Sequence, residues 1–173
     1  MTVTSRIPDV IDWLVNAATV SASLGASPLA PVTVHDGPPP TSETLAAPLH
    51  LYIGWDQVTG GGQGADAVQD WPVLDKARTR DENGTVICTA DGWTGSTTGK
   101  TARDLCKGIV AGVELLLRGD GTTGPGDASM GGLVMWSGVA GPFEWFPRQT
   151  ADGAGCACVF RITYRARLVT TGA

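Results

Sequence analysis

The clearest alternation of apolar and polar positions lies at the end of the chain. Over positions 156–169, Cys156, Cys158, Phe160, Ile162, Tyr164, Ala166 and Leu168 share one parity, and Arg161, Thr163, Arg165 and Arg167 share the other. A period of two specifies a half-buried strand, with one face in a core. The other face carries three guanidiniums within reach of carboxylates on a neighbouring strand or subunit. Leu49, Leu51, Ile53 and Trp55 alternate in the same way with His50, Tyr52, Gly54 and Asp56, which predicts a second one-sided strand. Near the start the period changes. Ile7, Val10, Ile11, Leu14 and Ala18 recur at helical spacing behind Ser5, predicting a helix over 6–19 with Trp13 on its flank. A second helical stripe runs through Ala102, Leu105, Cys106, Ile109, Val110, Val113, Leu116 and Leu117 and predicts the central core helix. Thr101-Ala102-Arg103-Asp104 reads as its capping box, Glu114 and Arg118 as an i,i+4 pair, and Gly119 as its stop.

Shorter signals fill the gaps. A strand over 32–35 ends at Asp36-Gly37-Pro38-Pro39-Pro40, a run that cannot continue a ladder. Asn83-Gly84 reads as a hairpin turn between strands over 76–80 and 82–90. Strands over 133–136 and 143–146, followed by a turn at 152–155, give a meander with the terminal strand. The expected order is therefore α, β, β, β, β, α, β, β, β. It describes an α+β fold spanning 1–173 as one domain, its mixed or antiparallel sheet packed by an N-terminal helix and a central amphipathic helix. Two glycine-rich stretches, over 57–70 and 119–132, read as flexible loops.

Composition narrows the function classes. A chain of 173 residues can bury about two-thirds of its unfolded surface in one core without disulfides or metals. The net charge of -5 and the lack of basic runs argue against binding nucleic acid through its phosphates. Asp9 and Asp12 interrupt the first apolar segment, so a secretory signal is not expected and the cytoplasm is. Positions 13–34 lack charge, but Asn16, Gly25, Pro28 and Pro31 disqualify a membrane span. Cys156 and Cys158 lie on the same side of one strand, and Cys88 and Cys106 fall in separate elements. Buried reduced thiols are expected rather than disulfides or a metal site.

Candidate chemistry is thin. Gly92 to Thr101, GWTGSTTGKT, has the strand-to-helix context of a phosphate-binding loop, but Gly95 leaves three residues before Gly99 where four are needed. His35 and His50 fall on the outward parity of their strands, with no nucleophile motif beside them, and Asp56, Asp70 and Asp75 define no geometry. No enzymatic activity, cofactor or metal is expected. Assembly is a stronger expectation than chemistry.

The IPDVIDWLVNAA helix, the VTVHDGPPP turn, the strand LHLYIGWD, the helix TARDLCKGIVAGVELLL and the closing strand FRITYRARL together resemble the tail terminator proteins of long-tailed bacteriophages. The resemblance spans most of the chain and rests on the order and texture of these elements. It implies an α+β subunit that forms a ring, expected to be hexameric, in the neck of the virion. Such a ring caps the tail tube, stops its growth and meets the head. The implied partners are further copies of the chain, the major tail tube protein and a head-closure or connector protein, with DNA only as passing cargo and no membrane. In that setting Arg161, Arg165 and Arg167 are the expected subunit interface, and Gly60, Gly61, Gly62, Gly64, Asp120 and Asp127 mark the expected docking loops. Two alternatives stand beside it. One is another neck or tail-completion protein; the other is a small-ligand module using Trp55, Trp71 and Trp93 beside the glycine-rich loops for stacking.

Overall fold

Three long strands carry the architecture. In the computed structural model, residues 4–23, 29, 31–39, 48–57, 64–71, 79–119 and 126–169 are described. They form α1 (Ile7–Ser23), β1 (Thr33–Asp36), β2 (Leu49–Ile53), β3 (Ala65–Asp70), β4 (Thr79–Thr94), α2 (Gly99–Arg118), β5 (Trp136–Thr150) and β6 (Gly153–Val169). The six strands make one sheet in the order β1-β2-β4-β6-β5, and β3 pairs with β4 off that path. Every pairing is antiparallel except β1 with β2. The fold is thus α+β with a mixed, mostly antiparallel sheet.

β4 and β6 form the spine, paired along their whole length from Thr79↔Val169 to Thr94↔Ala154. Their even positions face the helices. Val86, Cys88 and Ala90 of β4 lie opposite Ile162, Phe160 and Cys158 of β6, and all six are buried. Val10, Leu14 and Ala18 of α1, with Cys106, Ile109, Val113 and Leu117 of α2, close over this face. The inward parity expected of the terminal strand is the observed one. The four cysteines are free and buried. Loss of hydration pushes the Cys88 and Cys158 thiols up to about 12. Among the described residues no helix is long and apolar enough to cross a membrane.

Several sequence expectations are corrected here. Asn83-Gly84 does not turn the chain: it lies in the middle of β4, with Gly84 between Ala67 of β3 and Tyr164 of β6. The glycine serves a close approach instead, because a Cβ there would sit 2.2 Å from Cζ of Tyr164. The stretch read as a loop over 57–70 contains β3, whose alternation of half-buried and exposed positions marks a strand. The strand expected over 143–146 lies inside β5, whereas of the one expected over 133–136 only Trp136 belongs to it. A register shift between Ala140 and Glu144 lets one strand pass through Gly141-Pro142, and Leu133 belongs to the turn before it.

The capping box is also absent. α2 begins two residues earlier than Thr101, with Thr98 at the N-cap and no capping bond from its hydroxyl among the described residues. Asp104 pairs with Lys100 instead. The Glu114–Arg118 pair and the stop at Gly119 (φ 71°) are as expected. α1 runs to Ser23, a turn beyond the expected end, with Ser21 buried in its last turn. β2 is not one-sided: His50 and Tyr52 are as buried as Leu51 and Ile53.

Candidate interaction surface

The helices cover one face of the sheet and leave the other to its odd-numbered β4 and β6 positions. That second face divides into two halves of different character. In the half nearer β1 and β2, the cross-strand rows run His50–Asp91–Ala157–Phe146 and His35–Tyr52–Thr89–Val159–Glu144. Gly54, with φ of 76°, turns the chain after β2 so that residues 54–57 cross this half. The amides of Gly54 and Trp55 donate to Ile87 O, and the Thr89 hydroxyl donates to Trp55 O at 3.0 Å.

Below this strap the side chains are packed and paired. His35 Nε2 and His50 Nδ1 lie 3.1 Å apart. Tyr52 stacks on His35 at 4.7 Å and takes the edge of Trp55 at 5.0 Å. Asp91 accepts from Gln57 Nε2 at 3.1 Å and from Arg148 of β5. Trp93 lies across Gly155, where a Cβ would come within 2.7 Å of the indole. His50 is therefore buried and His35 half-buried, and this half of the face is a small second core. Trp55 and Trp93 are used in packing, while Trp71 takes the Arg80 guanidinium at 5.8 Å from its ring centre.

The other half is open and charged. Its rows run Val68–Asn83–Arg165–Trp136 and Asp70–Asp81–Arg167, with Asp66 beside Thr85. Two of the three arginines expected at an interface, Arg165 and Arg167, are here, and sequence reasoning missed their first partner. Asp81, with a side chain 4% exposed, accepts from Arg165 Nη2 at 2.7 Å and from Arg167 Nε at 2.8 Å. Hydrogen bonds from Arg167 and Arg165 hold its carboxyl at about 2, against an ordinary 3.8. Two guanidiniums thus share one carboxylate and keep a net positive charge. They remain 44% and 49% exposed, and Arg165 Nε has no acceptor among the described residues. Arg161 stands apart, 3.8 Å from Glu144 on β5.

Immediately beneath the charged half, on the helix side, Glu82 anchors the start of α1. It is buried and accepts from the Arg6 amide at 2.8 Å, Gln69 Nε2 at 2.6 Å and the Tyr164 hydroxyl at 2.8 Å. Burial pushes its carboxyl up, but these donors outweigh that cost and the net displacement is downward.

A third feature is the arm made by β5, the edge strand that lies along the outer side of β6. Residues 141–150 of β5 are exposed apart from Phe146, which is half-buried. Phe143 and Trp145 present 46% and 40% of their surface, and Met135 and Trp136 continue the apolar exposure at the base of the strand. Pro142 and Pro147 deny this edge two amide donors, so it is poorly suited to adding another strand. Contact through side chains is what the arm offers.

The expected docking loops fall partly outside the described residues: Gly60, Gly61, Gly62 and Asp120 do, and so does Asp75. Gly64 leads directly into β3, and its carbonyl accepts from the Ile87 amide at 2.8 Å. Asp127 organises a turn. Its carboxylate accepts from the Ser129 amide and hydroxyl and from the Gly131 amide at 2.6 Å, and these bonds, that from Ser129 foremost, lower its pKa. It is a fixed point of the 126–132 segment, not a free end.

No family model and no curated protein matches the chain.

Proposed function

We propose that this chain is a structural virion protein of the tail-terminator kind, a subunit of a ring that caps the tail tube of a long-tailed phage. In that role the ring ends tube growth and presents the surface that joins tail to head. The observation that carries the reading is the β5 arm, which holds Phe143 and Trp145 in the open on a strand that prolines keep from extending the sheet. An exposed aromatic arm on an otherwise well-packed subunit is an attachment device, and a tube end is a repeating array of identical sites for it. The charged half of the open face supports the same reading, because lateral contacts in a ring are heterologous and need two different, complementary surfaces. The order of elements that resembles the terminator family agrees with the α+β fold.

The ring serves no catalytic purpose in this account. The net charge of -5 on each chain suits a lumen that does not hold passing DNA by its phosphates. The test is polymerisation of a phage major tail tube protein in the presence and absence of this chain, followed by electron microscopy. Added subunit is expected to shorten the tubes and to appear as density on one end only. Tubes of unchanged length with bare ends overturn the proposal.

A further inference from the structure

At the end of the sheet that carries the charges, β3 is the outermost strand on one side among the described residues, and on the other β5 stops at Trp136 and leaves the end of β6 outermost. β3 pairs with β4 up to Asp70↔Asp81, and β4 pairs with β6 up to Thr79↔Val169. β5 begins at Trp136, opposite Arg165, so beyond that point β6 has no neighbour on its outer side among the described residues. Among the described residues this ribbon therefore has two outer flanks, β3 on one side and the end of β6 with Trp136 of β5 on the other, and β3 and β6 lie roughly 10 Å apart at the usual strand spacing.

The flanks are opposite in charge. On β3, Asp66 and Asp70 point to the open face and are exposed, with Val68 between them 63% exposed. On β6, Arg165 and Arg167 share Asp81 and retain one positive charge between them, with the exposed Trp136 alongside Arg165. One flank reads acidic, apolar, acidic, and the other reads basic with an aromatic beside it. Along a strand, Asp66 and Asp70 are about 13 Å apart, a span over which two long arginine side chains can each find a carboxylate.

We infer that the β3 flank of one copy docks on the Arg165, Arg167 and Trp136 flank of the next, with Asp66 and Asp70 meeting the two guanidiniums and Val68 covering Trp136. The two surfaces lie on opposite sides of the same ribbon, so each copy uses one towards each neighbour. Such a head-to-tail contact generates a closed ring when its rotation closes. The Asp81 carboxylate, held inside the contact, keeps the guanidiniums aimed and shared rather than free to collapse elsewhere. This inference rests on the ring reading and names the surfaces that build it. Exposed edge charges also serve to keep a strand from pairing with strangers, and the experiment separates that use from docking.

Two variants test it by native mass spectrometry: Arg165→Glu/Arg167→Glu, whose flanks are both acidic, and Asp66→Lys/Asp70→Lys, whose flanks are both basic. Each alone is expected to stay monomeric under conditions where the wild-type chain forms rings. An equimolar mixture is expected to restore rings in which the two variants alternate in equal number. Asp66 and Asp70 are exposed positions, so the second variant reports on docking even if the first, which crowds Asp81, folds poorly; circular dichroism identifies that case. Wild-type-like rings from Asp66→Lys/Asp70→Lys alone overturn this contact while leaving the ring intact. Monomeric wild-type chain overturns the ring reading and the contact together, and a mixture of folded variants that stays monomeric overturns the contact.

Discussion

At the scale of single residues, the fold depends on a few places where a side chain is absent or shared. Gly84 is one. Its missing Cβ leaves room for the Tyr164 ring, whose hydroxyl reaches the buried Glu82 carboxylate. Gly84→Ala forces the ring off that bond and is expected to cost about 2–3 kcal/mol in denaturant unfolding, the range for overpacking a tight site. Unchanged stability would show that the ring has another place to go. Asp81 makes the second residue-scale prediction. Its folded pKa of about 2 lies below its ordinary 3.8, so the unfolded chain binds the extra proton first. The stability it contributes is complete above about pH 5 and is lost as pH falls through 4 towards 2. The difference in unfolding midpoint between wild type and Asp81→Asn should therefore shrink over that window and stay constant from pH 5 to 8. A difference that persists at pH 2 would contradict the assignment. The arginines of this site were legible in the sequence, because a period-two strand displays them. Their partner was not, since nothing local links Asp81 to Arg165 and Arg167 across more than eighty positions of chain.

At the scale of elements, the long periodic segments were readable and the short ones were not. β6 and α2 announce themselves through many repeats of one spacing, and the structure places their apolar positions inward as that spacing requires. Asn83-Gly84 misled because the residues that make a tight turn are also those that allow a close approach, and only the cross-strand neighbour distinguishes the two uses. β3 hid within a glycine-rich stretch because its outward positions are Asp66, Val68 and Asp70, which carry little hydrophobic signal. β5 read as two strands because Gly141-Pro142 looks like a break, whereas a bulge absorbs it. His50 and Tyr52 looked like an outer face because the strap that buries them comes from residues 54–57, whose fold-back has no periodic signature. The β5 arm also makes an element-scale prediction. Phe143→Ser with Trp145→Ser removes side chains that are 46% and 40% exposed and otherwise covered, so a stability cost of about 1–3 kcal/mol is expected, with the fold retained by circular dichroism. Density at tube ends should be lost in this variant. A variant that still caps tubes would remove the arm from the attachment.

At the scale of the whole molecule, the helices occupy one face of the sheet, a packed aromatic and histidine cluster closes half of the other, and the remaining half is charged. The faces are thus unequal in what they offer. The helices cover one face, the charged ribbon offers opposite signs on opposite flanks, and the β5 arm exposes Phe143 and Trp145 along the outer edge of the sheet. The proposed ring uses the two unlike flanks as its lateral surfaces and the β5 arm as its contact with a repeating tube end. The most direct measurement of that claim is the mass of the native assembly, taken with negative-stain images of the same sample. The account predicts one discrete closed species, six copies of the 17.8 kDa chain with a central opening. A sample that remains monomeric at high concentration, or that grows into open filaments of indefinite length, would contradict it.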